Sequence, residues 1–358
     1  MNDDCLKLTT YFGERDRTED GFLADALLDV YGRHQLEVSL LLRGAGGFGL
    51  KQHFRSDRLL TLSEDLPLVS VAVDTRERIE AALPDVMALK RSGLVTLERA
   101  RLLTGELEPI ELPEELHEAT KLTIYVGRQE RVHGMPAFEA VCDLLFRRGV
   151  AGATVLLGVD GTAHGARRRA RFFARNAEVP MMIIAVGDGH TIARVLPELG
   201  ALVRRPLATL ERVRVCKRDG VLLAAPHALP GTDEHGLALW QKVMVYASEQ
   251  ARHEGRPLHQ ELMRRLRQGR ACGATTLRGV WGFHGDHAPH GDKLLQLRRH
   301  APTLTITVDT PDRIMDAFAI VDELTDQRGL VTSEMVPASA ALAEGVTRGG
   351  LRLARHRF

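Results

Sequence analysis

The chain has 358 residues, and its 48 Lys and Arg nearly balance 47 Asp and Glu, for a formal net charge of +1; such a balance sets up no field that would gather nucleic acid or an anionic membrane. Its longest apolar runs, such as Val179 to Val186, fall far short of the ~20 residues of a membrane span, and the acidic start Met-Asn-Asp-Asp does not read as a secretory signal. The four cysteines, Cys5, Cys142, Cys216 and Cys272, have no paired spacing, which argues against a disulfide framework or a zinc site and predicts free thiols in a cytoplasmic protein.

Taken in chain order, Leu8-Thr-Thr-Tyr-Phe12 predicts a strand that Gly13 ends. Phe22, Leu23, Ala26, Leu27 and Val30 fall at helical spacing within 20–31, with Thr18 or Asp20 as the N-cap. Val38 to Leu42 predicts a second strand, running into a glycine-rich loop from Arg43 to Arg58. Leu66 to Val73 predicts a third, with Pro67 near its start, where a missing N–H is tolerated. Asp74-Thr75 reads as the cap of a helix from Arg76 to Leu83, with Ile79 and Leu83 on one face. Leu94 to Leu97 and Ala100 to Leu103 supply the fourth strand. The order β-α-β-β-α-β is the split βαβ, or ferredoxin-like, unit.

The same text then returns twice. Lys7-Leu-Thr-Thr-Tyr-Phe-Gly13 is repeated as Lys121-Leu-Thr-Ile-Tyr-Val-Gly127 and as Lys242-Val-Met-Val-Tyr246. Gly44-Ala-Gly-Gly47 corresponds to Gly158-Val-Asp-Gly161 and Gly279-Val-Trp-Gly282, and Gly93-Leu-Val-Thr-Leu-Glu98 to Pro206-Leu-Ala-Thr-Leu-Glu211 and Gly329-Leu-Val-Thr-Ser-Glu334. A period above 100 residues is too long for a solenoid and suits a small domain. The predicted class is α+β, with three tandem ferredoxin-like domains at 1–105, 120–218 and 239–337, joined by an acidic linker at 106–119 and a Pro/Gly linker at 219–238. The basic tail, 338–358, reads as a frayed terminus or a short docked helix. A sheet with helices on one face leaves the other face uncovered. Three copies can cover one another about a threefold axis, so the expectation is a monomer folded as an intramolecular pseudo-trimer; beads on a string are the alternative.

Chemistry concentrates in the glycine-rich segments. Four glycines beside Arg43, Lys51, His53 and Arg55 suit the close approach of backbone N–H groups and cations to a phosphate, although no Walker motif follows. A plain flexible turn is the competing reading. In the third repeat His284, His287 and His290, with Asp286 and Asp292, form a weak candidate metal cluster. Lys7, Lys121 and Lys242 recur on the first strand, as structural ion pairs or as phosphate contacts. Glu98, Glu211 and Glu334 recur too, and read as solvent-facing or sheet-edge ion pairs. Asp74 and Asp309 recur as helix caps. No catalytic motif recurs across the three copies.

These motifs, together with Gly134-Met-Pro136, Leu62-Ser-Glu-Asp-Leu-Pro67 and Val73-Asp-Thr75, resemble the family known as domain of unknown function 190. The resemblance covers nearly all of the chain outside linkers and tail. It implies a fold similar to the PII signalling proteins, whose long loop after the second strand contacts partners and whose inter-subunit clefts take adenine nucleotides or other small anions. Carried over, it makes Arg43, Gly44, Gly46, Gly47, Gly49 and His53 ligand candidates in the first repeat, Gly158 and Gly161 in the second, and Arg278, Gly279 and Gly282 in the third, beside Lys7, Lys121 and Lys242. Leu157 replaces Arg43 in the second copy and Arg298 to Pro302 replaces the Ser-Glu-Asp-Leu-Pro segment in the third, so the three clefts need not be equivalent. The resemblance implies a regulatory protein, not an enzyme, that binds a small anionic effector and a membrane transporter or channel partner. An enzyme acting at the same clefts and an effector-free scaffold are the alternatives.

Overall fold

A computed structural model describes residues 2–356 except 51, 53–54, 57–64, 106, 108–110, 164–165, 168–178, 285–288, 292–300, 328 and 344. The first repeat runs β1 (Asn2–Gly13), α1 (Leu23–Arg33), β2 (Val38–Phe48), β3 (Pro67–Thr75), α2 (Arg76–Leu89) and β4 (Ser92–Thr104). The second runs β5 (Thr120–Gly127), α3 (Ala137–Arg147), β6 (Gly152–Ala163), β7 (Pro180–Gly187), α4 (Gly189–Leu202), β8 (Leu207–Arg212) and β9 (Arg214–Arg218). The third runs β10 (Trp240–Ser248), α5 (Leu258–Gln268), β11 (Ala274–Arg278), β12 (Trp281–His284), β13 (Pro302–Asp309), α6 (Pro311–Leu324) and β14 (Leu330–Val336), followed by β15 (Ala338–Ala343) and β16 (Val346–Gly350).

The period-2 alternation of the strands sends their side chains two ways. In β1, Leu6 and Leu8 pack with helices α1 and α2, whereas Cys5 and Tyr11 join a central cluster. In β7, Met181, Ile183 and Ala185 face α3 and α4, while Met182, Ile184 and Val186 face the centre. The central cluster draws on all three repeats, with Leu40, Met182 and Ile306 as members, so no repeat owns its inner core.

This architecture corrects the expectation of three separate α+β ferredoxin-like domains. Among the described residues, hydrogen bonding runs through the repeat boundaries to give one antiparallel sheet of 20 strands. Within it, β1, β4, β8, β5, β7, β6, β2 and β3 pair in that order and β3 returns to β1, closing an eight-stranded antiparallel barrel across repeats 1 and 2. The third repeat is sewn on through β11 to β2, β12 to β6, β14 to β9 and β15 to β4. The physical reason is strand length. The sequence predicts four or five residues for β2 because glycine and arginine interrupt the apolar run at Arg43, yet the strand continues to Phe48, 11 residues in all. Its first half pairs with its own repeat and its second half with Ala274–Leu277 of the third. Likewise β4 runs on to Thr104 and pairs with Leu207–Leu210 of the second repeat.

Smaller expectations also change. Neither Thr18 nor Asp20 caps α1, whose N-cap is Phe22 with no side-chain bond. Thr75 does cap α2, accepting the Arg78 N–H at 3.4 Å. Asp74 and Asp309 instead brace the strand ahead of the helix: each accepts the N–H of the next residue, and a second N–H from Glu37 and Cys272 respectively, both at 2.8 Å. The tail is neither a helix nor frayed. β15 and β16 form a hairpin whose first strand pairs with Ser92–Leu97, and Ala354 beyond it is buried. The linkers are packed as well. Leu112 and Leu116 join the core of the second repeat, and Asp233 accepts backbone N–H bonds from His235, Leu237 and Arg355.

Candidate functional site

The repeated glycines lie where a strand crosses from one repeat to the next. A side chain added at Gly44 would come within 2.6 Å of Pro67, at Gly279 within 2.6 Å of Pro302, and at Gly158 within 2.3 Å of Leu40 and 2.5 Å of the Pro180 carbonyl. At Gly161 the obstacle is the Ser39 carbonyl at 2.4 Å, and at Gly282 the Ala153 carbonyl at 2.4 Å. Gly46 and Gly47 pair with Thr276 and Thr275. The stretch Arg43–Phe48 is therefore strand, not loop, and close approach of backbone to backbone accounts for its glycines. Arg43 and Arg278 are each held by a glutamate just past the first strand of their repeat, Glu14 and Glu249, both at 2.9 Å.

Beyond this crossing, Gly49 has none of the described residues within 4 Å of an added side chain. It rims a cleft of about 540 Å³ between repeats 1 and 3. The ends of β1 and β2 form one wall with Tyr11, Phe12 and Phe48; Cys272–Thr275, Ile306 and Val308 form the other; Leu94 and the Ala341–Ala343 end of β15 complete it. Asp16, Asp65 and Ser92 supply its polar groups. The corresponding space between repeats 3 and 2, where β12 meets β6, is only about 10 Å³. There, strand register puts Phe283 in the place of Phe48, so His284 stands where the first repeat has Gly49.

Lys90, 6% exposed, is buried behind the open cleft. Its ammonium donates to the Tyr11 carbonyl at 3.1 Å, lies 5.2 Å from the centre of the Phe12 ring, and ion-pairs with none of the described carboxylates. Burial drags its pKa down to about 7, against the weaker pull of Asp16. The same C-terminal helix position is Val203 in the second repeat and Thr325 in the third. Cys272, also at the cleft, donates its Sγ–H to Asp309 at 3.0 Å. Burial first and Asp309 second push the thiol up to about 12, so it is not poised as a nucleophile.

At the centre, the three recurring lysines and three recurring glutamates form one alternating ring. Lys7 bridges Glu98 and Glu211; Lys121 bridges Glu211 and Glu334; Lys242 bridges Glu334 and Glu98. Every glutamate is therefore shared by two lysines, one from its own repeat and one from the preceding repeat, with Glu98 of the first taking Lys242 of the third. All six residues are buried, which corrects the solvent-facing reading of the glutamates; the apolar alternation around them points inward, not to an edge. Burial raises the Glu98 carboxyl, but Lys242, Lys7 and Lys121 outweigh it and hold the group well below the carboxylate range; Glu334 behaves likewise. For Lys7 burial pulls the other way, and Glu211 and Glu98 overcome it. Burial pulls Lys121 down, yet with carboxylates at 2.5 and 3.1 Å the geometry keeps it charged. The three carboxylates lie within 4.8 Å of one another, as metal ligands would, but three ammonium groups already neutralise them and leave a cation no charge to bind.

Of the residues read as ligand candidates, the ring takes Lys7, Lys121 and Lys242; the strand crossings take Gly44, Gly46, Gly47, Gly158, Gly161, Gly279 and Gly282; glutamates hold Arg43 and Arg278. Gly47 and Gly49 reach the open cleft. His53 and His287 lie outside the described residues, as does the side chain of His290, while His284 lines the narrow junction. Sequence reasoning missed Lys90, Asp16 and the tail strand. The available signal for Lys90 was a charge at a position that is Val or Thr in the other copies.

Fold and ring together define a chain of three fused repeats whose sheets are continuous and whose inner faces share buried charges. The chain belongs to the DUF190 family, described as "Uncharacterized ACR, COG1993", whose sequence model matches residues 5–102, 119–215 and 240–338. Among curated proteins it is similar to a "UPF0166 protein" of Aquifex aeolicus (strain VF5), 29% identical over 98 residues, which are 27% of this chain and 92% of that protein. It is also similar to "UPF0166 protein MJ1524" of Methanocaldococcus jannaschii, 32% identical over 85 residues, 23% of this chain and 77% of the relative. Each relative thus corresponds in extent to one repeat. Among the described residues no helix is long and apolar enough to cross a membrane.

Proposed function

We propose that the chain is a regulatory module that senses a small molecule in the cleft between repeats 1 and 3 without turning it over. The observation that carries this reading is the inequality of the junctions, about 540 Å³ between repeats 1 and 3 against about 10 Å³ between repeats 3 and 2. The larger volume is in the range of small-molecule sites, roughly 300–1,000 Å³. Tyr11, Phe12, Phe48 and Leu342 offer apolar surface to a flat ring, and the glycines at 13, 47, 49 and 93 let it approach the backbone. Lys90, buried behind the Tyr11 and Phe12 wall, places a positive charge close to that surface for an adenine nucleotide or another small anion. An effector there touches β1, β2, β11 and β15 at once, so it can bias the surface that this junction offers to a protein partner, a transporter or channel among the candidates.

A thermal-shift and calorimetric screen with adenine nucleotides, cyclic nucleotides and bicarbonate tests this. Gly49→Trp, built at the open rim, should abolish the response of the wild-type chain, while Gly49→Ala keeps it. No response to any compound, or an equal response in Gly49→Trp, sinks the cleft as the site. Consumption of the responding compound overturns the sensor reading in favour of an enzyme.

A further inference from the structure

Below the lysine–glutamate ring lies a small axial cavity of about 40 Å³, lined by one face of each repeat. All three ring lysines line it and none of the ring glutamates does, so the ring turns its ammonium side to the cavity and its carboxylate side away. We propose that this axial cavity is a binding site for one small inorganic anion of halide size, held by Lys7, Lys121, Lys242 and the Tyr125 hydroxyl.

The argument is a count of donors. An ammonium group has three N–H donors. Each of these lysines hydrogen-bonds one carboxylate and lies 3.0–3.1 Å from a second, which leaves at least one donor apiece. Tyr125 also lines the cavity. Its buried hydroxyl makes no hydrogen bond of normal geometry among the described residues, with the Thr209 hydroxyl near enough only to perturb it. Leu42, Val71, Ile184 and Leu304 make up much of the remaining wall and accept nothing, while the hydroxyls of Thr9, Tyr11 and Thr123, which also line it, can donate as readily as accept. Buried donors without acceptors are costly. The space exceeds the ~10–15 Å³ that one water needs. A water, however, accepts only two hydrogen bonds, fewer than the donors that face this space. An anion accepts from all four donors and has no hydrogen to place. The ring itself is neutral, three charges against three, but its positive groups are the near ones.

Diffraction from crystals of the full chain soaked in sodium bromide, recorded at the bromine absorption edge, tests the site. One anomalous peak in contact with the three lysine ammonium groups is expected. Density there without anomalous signal, or bromide at surface positions only, overturns the proposal in favour of ordered water. Melting in sodium bromide against sodium methanesulfonate at equal ionic strength supplies a second readout. It should show a bromide-dependent rise with an apparent affinity about tenfold weaker in Tyr125→Phe, which leaves the ring intact. An equal rise in both proteins marks a surface salt effect and also overturns it.

Discussion

Lys90 shows how much one side chain can cost the fold it sits in. With its pKa near 7 in the folded chain and 10.5 as the ordinary value, the unfolded state binds more protons throughout that interval. Stability must then rise with pH from about 7 to 10.5, and the penalty is full below it. Lys90→Met keeps the length of the side chain and removes the charge, so it should stabilise the protein by roughly 2–5 kcal/mol at pH 6. That gain should shrink toward nothing near pH 10.5. Urea denaturation of both proteins across this range checks it, and a gain independent of pH would refute the account. A residue that lowers stability just behind the open cleft fits a functional role there, so the same variant should weaken the binding of any anionic effector. The sequence concealed Lys90 because a lysine just past a helix is the ordinary complement to the helix dipole. Only the fold shows that this one turns inward, over Phe12 and beneath Gly93.

At the scale of elements, the glycines divide into two kinds that the sequence does not distinguish. Gly158 has Leu40 and the Pro180 carbonyl where a side chain would go, whereas Gly49 has none of the described residues there. Gly158→Ala should therefore cost about 2–3 kcal/mol through overpacking against backbone, and Gly49→Ala should stay within about 0.5 kcal/mol. Chemical denaturation of the pair would expose the error if the two fell together. The same contrast explains which parts of the fold were legible. The helix faces and the first halves of strands such as β1, β2, β3 and β7 follow apolar periodicity and were readable, whereas the fourth strand of the second repeat, read at Glu211 to Val215, in fact starts at Leu207. The second halves, Arg43–Phe48 and Gly158–Ala163, carry glycine and charge because their neighbours are the backbones of another repeat, so they looked like loops. The hairpin of β15 and β16 was hidden for a related reason: its first strand reads Ala-Ser-Ala-Ala-Leu-Ala, a pattern with no strand signature until β4 is beside it.

Across the whole molecule, the ring converts three repeats into one cooperative object. Repetition of Lys7, Lys121 and Lys242, and of Glu98, Glu211 and Glu334, was visible in the sequence. That each glutamate serves two repeats was not, because the pairs span 204, 213 and 144 residues. A ring of this kind stabilises little against an apolar replacement, but breaking it strands buried charge. Glu98→Gln leaves Lys7 and Lys242 each short of a carboxylate and should cost about 3–5 kcal/mol, lowering a single calorimetric transition instead of splitting off one repeat. The pH dependence has a definite sign. Glu98 and Glu334 are held below the ordinary carboxylate value, so on acidification the unfolded chain takes up protons before the folded one. Their stabilisation is complete above the ordinary value and drains as pH falls below it. Glu98→Gln should flatten that acid slope as well as lower the plateau. A variant as stable as the parent, with the parent's acid slope, would mean that the six charges are packed together without being coupled. The three repeats would then be held only by the strands that cross between them.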